Sequence, residues 1–145
     1  MDRLKSLFDV AGRTSRRDYW RLQIRLTLAA AVIWCVTMFA TMAGGWLGAI
    51  PLMLLAPVLV AAICLCLRRL HDRGRSAWWF ILLIPGPPLL LGVAYGLEES
   101  IGGLGAALAD LPLSLGAIGL TVWAWIELGF RRGTRGPNAF GPDPG

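Results

Sequence analysis

A chain of 145 residues has the length of one domain, yet 56% of it is apolar, only 16% is charged, and its mean hydropathy is +0.60. Soluble domains run to about 45–50% apolar and about 25% charged, which excludes an ordinary water-soluble globule. The net charge of +5 does not indicate nucleic acid, because the basic residues flank the apolar blocks as topology signals do, with no groove-reading motif beside them.

Residues 1–11 place Leu4, Leu7, Phe8 and Ala11 at helical spacing around Arg3 and Lys5, which predicts a short interfacial helix ended by Gly12. Ser15 to Asp18 has capping-box spacing, and Tyr19 and Trp20 carry rings that favour a membrane interface. The first span is expected at about 22–43, with Arg21 and Arg25 snorkelling from its first turns. Its uncharged core is longer than the roughly 7–15 residues of a cleavable signal peptide, so it reads as a signal-anchor. Gly44-Gly45-Trp46 forms an outer turn. The second span, about 47–67, has Pro51 at its start and Pro57 nearer the middle, where a kink is expected.

A polar turn from Arg68 to Arg75 holds the lone histidine, His71, beside Asp72. The third span, about 78–96, is interrupted by Pro85, Pro87 and Pro88, so it reads as a broken helix that crosses rather than a re-entrant hairpin. Residues 97–111 carry Glu98, Glu99 and Asp110 and read as an outer loop, which a heptad-like leucine stripe can lay on the surface. Its glycines lack the Lys and Ser/Thr of a phosphate loop. The fourth span is expected at about 112–130, with Glu127 seeking a cation from Arg25, Arg68 or Arg69. The tail, 131–145, is rich in Gly and Pro and predicts no regular structure.

Basic residues number seven up to the first turns of the first span, four in the central turn and three in the tail, together all fourteen in the chain. The expectation is therefore an all-α, polytopic membrane domain spanning 1–145, with four transmembrane helices and both termini cytoplasmic. Cys35, Cys64 and Cys66 fall inside apolar blocks and read as packing residues. A metal site lacks ligands, since His71 has no second histidine to join it. No nucleophile–base set accompanies His71 and Asp72, so neither catalysis nor a cofactor is expected, and a membrane-embedded enzyme using that pair is the remote alternative. A transporter or channel subunit built around the broken third helix is the nearer one.

Three stretches carry a resemblance. Gly12-Arg13-Thr14-Ser15-Arg16-Arg17-Asp18-Tyr19-Trp20 is similar to a G-R-x-x-R-x-x-Y-W opening. Arg68-Arg69-Leu70-His71-Asp72 through Ser76-Ala77-Trp78-Trp79, then Pro85-Gly86, resembles an R-R-L-H-D…S-x-W-W…P block. Gly136-Pro137-Asn138-Ala139-Phe140-Gly141-Pro142-Asp143-Pro144 resembles a G-x-N-x-[YF]-G-P-D-P tail. Together they resemble the small bacterial inner-membrane proteins grouped as domain of unknown function eight-zero-five. The resemblance implies a multi-span inner-membrane protein and no assignable catalytic residue. The stretch after the third span is longer here than in the family pattern. All three motifs belong to one side of the expected topology, which predicts a folded-back tail and a cytoplasmic cap of Arg13, Arg16, Arg68, Arg69, His71, Asp72, Asn138, Phe140 and Asp143. Such a cap suits anionic lipid headgroups, a protein partner or a second copy of the chain.

Overall fold

In a computed structural model, which describes residues 7–144, the chain is all-helical. Helix α1 runs Arg16–Gly44, a 3₁₀ stretch Gly45–Leu54, α2 Leu55–Asp72, α3 Trp78–Leu83, α4 Gly86–Ile101 and α5 Gly103–Trp125, ending in a π-helical turn, Ile126–Phe130. Extended pairing among the described residues amounts to one isolated bridge, Asn138 to Gly141, in the tail.

Ser15 caps α1: its hydroxyl accepts from Asp18 N–H at 3.3 Å and donates to the Asp18 carboxylate at 2.9 Å, satisfying an otherwise orphaned first-turn donor. The chain doubles back at Gly45, whose φ of 62° lies where glycine is favoured. The start of α1 and the end of α2 then meet through Thr14 N–H donating to Arg68 O at 3.3 Å. At the opposite end Gly48 lies against the backbone of Ala40 and Thr41 with no room for a Cβ. Helices α4 and α5 form a second antiparallel hairpin, Gly86 beside Leu120 and Gly116 beside Leu90, turning at Gly102 (φ 63°).

Several sequence expectations change here. Residues 97–111 are not a loop: α4 continues to Ile101 and α5 starts at Gly103. Glycine's low helix propensity, which argued for a loop, costs only about 1 kcal/mol per residue and is overridden by packing between the two helices. Pro57 does not kink a span, because α2 begins at Leu55 and a first-turn proline forfeits no helical hydrogen bond. The residues before it take 3₁₀ geometry instead. The third segment does break, between Leu83 and Gly86. Pro87 and Pro88 sit in the first turn of α4, so the interruption is confined to Ile84-Pro85. Of the expected interfacial helix, residues 1–6 lie outside the described residues, and 7–11 form turns and bends.

Two helical runs, Arg16–Asp72 and Gly103–Phe130, are long and apolar enough to cross a membrane. Large apolar side chains such as Leu28, Phe39, Leu59, Leu89 and Leu115 are exposed along the bundle. Along the hairpins the buried positions are mostly small, Ala61, Ala94, Ala106 and Ala117, which lets backbones approach closely. Larger buried side chains gather at one end. There Tyr19, Leu65, Cys66, Leu70, Leu83, Ala124 and Leu128 form a cluster that joins the ends of four helices directly beneath the polar residues.

Candidate functional site

The polar end is built around Asp72, which is 2% exposed. Its Oδ1 lies 3.1 Å from Arg13 Nε and 3.0 Å from Arg13 Nη2, a two-pronged contact, and its Oδ2 accepts from Arg69 Nη1. Arg68, four residues before Asp72, stands at helical pairing distance too; the structure pairs Asp72 with Arg69, three back, because that residue faces the interior. Arg69 is fully buried and donates also to Leu128 O (2.8 Å), Thr14 O (3.2 Å) and Arg131 O (2.6 Å). Arg13 donates to Thr134 O (2.5 Å) and Gly136 O (2.6 Å). A guanidinium taken out of water needs its donors filled, and carbonyls of Thr14, Leu128 and the tail fill them.

The π-helical turn supplies further carbonyls. A helix C-terminus leaves its last carbonyls without intrahelical partners. Here Leu128 O accepts from Arg69, Gly129 O from Trp20 Nε1 at 2.9 Å, and Phe130 O from Arg16 at 3.1 Å. Cations at this terminus also suit the negative end of the helix dipole. Gly129 is required for the close approach, since a Cβ there would lie 2.6 Å from the Trp20 ring.

A second carboxylate, Glu127, is 1% exposed. Its partners are Arg73 (3.2 Å), Arg75 (3.4 Å) and Arg131 (2.8 Å), not the Arg25, Arg68 or Arg69 expected from sequence. The turn after α2 wraps back over the last helix, and so delivers Arg73 and Arg75, while the π-turn carries Arg131. Arg75 also stacks on Trp79, 4.0 Å from its ring centre, a cation–π contact.

The tail folds back over the end of α2. Thr134 N–H and Oγ1 donate to Asp72 O at 2.8 and 3.1 Å. Asn138 Nδ2 donates to His71 O at 3.0 Å, and its Oδ1 accepts from Phe140 N–H at 2.8 Å. The Phe140 ring stacks on His71 with centroids 4.1 Å apart. Asp143 accepts from Gly136 N–H at 2.8 Å and approaches Arg13 at 4.0 Å.

Of the residues singled out from sequence, Arg13, Arg69, His71, Asp72, Asn138, Phe140 and Asp143 thus converge, and Arg16 joins them through Phe130. Arg68 does not join this side-chain network: its Nε and Nη2 are buried without a hydrogen-bond partner among the described residues. Sequence reasoning left out Thr134 and Gly133. The crowding at Gly133, where a Cβ would overlap the Asp72 carboxylate, had only one trace in the sequence, a glycine set among tail arginines. No cluster of His, Cys, Asp and Glu among the described residues is arranged to hold a metal ion.

Outside the knot lies a basic groove of about 590 Å³ between the start of α1 and the tail. Arg16, Arg17, Arg21, Arg132 and Arg135 line it, with Asp18, Asp72 and Asp143 as its acidic residues. Arg17, Arg132 and Arg135 are exposed, and Arg21 pairs with Asp18 at 3.6 Å with both side chains exposed. These arginines are exposed toward solvent at the groove, whereas the donors of Arg13 and Arg69 are engaged internally.

The family model described as "Protein of unknown function (DUF805)" matches residues 7–142. The chain is 32% identical over 155 residues to the "Uncharacterized protein YiiR" of Escherichia coli K12, an alignment covering 94% of this chain and 86% of that one. The protein of the same name from Escherichia coli O157:H7 matches equally. No solved structure matches.

Proposed function

We propose a role from the site itself, on the premise that the chain belongs to the DUF805 family: it is a four-span bacterial inner-membrane protein whose cytoplasmic face binds anionic phospholipid headgroups. The internally satisfied Arg13–Asp72–Arg69 knot is the scaffold in this reading, and the groove of Arg16, Arg17, Arg21, Arg132 and Arg135 is the binding surface. One observation carries it. Exposed guanidiniums from two distant parts of the chain share one groove, beside a bundle whose large apolar side chains face outward. Guanidinium groups hold phosphate in a planar fork, and each basic side chain near an anionic leaflet contributes about 1 kcal/mol.

The spans in this reading are α1, the 3₁₀ stretch with α2, the broken α3–α4 segment and α5. A transporter built around the break gains less support, since the buried charged groups Arg69, Asp72 and Glu127 gather at one end rather than near mid-span, where transport sites lie.

The test is lipid retention after extraction from membranes of mixed composition, read by native mass spectrometry. Arg17→Gln with Arg132→Gln is expected to lower retained phosphatidylglycerol relative to phosphatidylethanolamine by roughly five-fold per arginine, with the fold intact. An unchanged ratio removes the headgroup reading.

A further inference from the structure

We infer that the groove is the upper half of a longer site, and that one acyl chain of the bound anionic phospholipid lies in the apolar slot beneath it. The inference rests on the headgroup reading for its anionic half and on separate geometry for the rest. A second cavity, about 440 Å³, opens between α1, α2 and α5, within the roughly 300–1,000 Å³ of ligand pockets. Its floor is buried and includes Cys66, Ala124 and Leu128, while its lips, Ile24, Leu28 and Trp125, are more than half exposed. The slot thus opens sideways, where a membrane-embedded bundle meets lipid.

Its direction identifies the occupant. Along α1 the lining runs from Tyr19 to Leu28, about 13 Å of helix at 1.5 Å per residue. A slot that follows a helix axis for that length takes an extended chain rather than a compact solute. Arg17 and Arg21 of the groove precede Ile24 and Leu28 at spacings of four, three and four, so the four share one helical face. Charge above and apolar slot below on one face match an anionic head with a chain attached. Between them Gln23 lines the slot with Oε1 buried and unpartnered among the described residues. That amide stands at the level of the lipid's polar–apolar junction, where the acyl ester carbonyls accept hydrogen bonds; turned over, its Nε2 donates to one of them.

The experiment compares the full chain with two slot-filling variants, Thr27→Phe at the mouth and Ala124→Leu on the floor, and with Arg17→Gln/Arg21→Gln. All are reconstituted with phosphatidylglycerol and phosphatidylcholine and released for native mass spectrometry, with thermal unfolding confirming the fold. The expected result is at least a five-fold loss of retained phosphatidylglycerol in either slot variant, and a comparable loss in the arginine variant. Full retention in a folded slot variant, with loss in the arginine variant, overturns the slot and leaves the headgroup reading standing. Loss in the slot variants with retention in the arginine variant overturns the headgroup reading and upholds the slot. Thr27→Phe, at an exposed position, keeps the test decisive should Ala124→Leu fail to fold.

Discussion

Asp72 shows how a single side chain sets the behaviour of the polar end. Two arginines converge on a carboxylate that water does not reach, so its removal strands buried cations rather than deleting one contact. Breaking a buried pair in this way costs about 3–5 kcal/mol. Asp72→Asn is therefore expected to destabilise the folded chain by that amount in denaturant titration of the detergent-solubilised protein. Arg21→Gln, which loses only an exposed pair with Asp18, is expected to change stability by about 0–1 kcal/mol. If the two variants unfold alike, Asp72 is not the centre of the knot. Sequence spacing could place charges near one another at this scale but could not choose partners. Arg68 and Arg69 are equally basic and adjacent, and only the direction each takes from α2 decides which meets Asp72 and which keeps two unpaired donors.

Among the elements, α1 and the 3₁₀ stretch meet backbone to backbone. Gly48 is buried against the backbone of Ala40 and Thr41, and backbone, unlike a flexible side chain, has no rotamer to yield. Gly48→Ala is expected to lower stability by about 1–3 kcal/mol, the usual cost of overpacking. Gly44→Ala, with open space around it, serves as the matched control and should stay close to wild type in the same melt. Equal melting of the two would mean that the hairpin is not held at this point.

Element boundaries followed local chemistry where a strong local signal existed. Ser15 and Asp18 announce the start of α1, and Pro85 announces the break. They failed where packing overrides propensity: residues 97–111 read as a loop, yet the turn takes no more than Gly102 and Gly103, both at positive φ, because α4 and α5 bury Ala94 and Ala106 by continuing as helices. The 3₁₀ stretch was invisible for a different reason. Pro51 and Pro57 are as compatible with a kinked α-helix as with two elements, and the choice depends on how Gly48 packs. Convergence of the three polar motifs was legible from the charge distribution. Their satisfaction by backbone carbonyls was not, since neither the π-turn nor the path of the tail that presents those carbonyls has a sequence signature.

For the whole molecule the decisive property is the polarity between its two ends. The knot gathers basic residues from the start of α1, the end of α2 and the tail, while Glu98 and Glu99 lie near the Gly102 turn at the far end of the α4–α5 hairpin. Carrying one charge against a membrane potential costs about 2.3 kcal/mol per 100 mV, and arginine-rich flanks are retained on the cytoplasmic side. The four-span reading therefore places the knot and both termini inside and the Gly102 turn outside. With Cys35, Cys64 and Cys66 replaced by alanine, a cysteine at Ser100 is expected to react with a membrane-impermeant maleimide in intact spheroplasts. A cysteine at Ala139, exposed on the tail, is expected to react only after permeabilisation. Labelling of Ala139→Cys from outside would invert the orientation and remove the groove from the leaflet whose potential gives its arginines their ligand; labelling of both sites from outside would end the four-span arrangement itself.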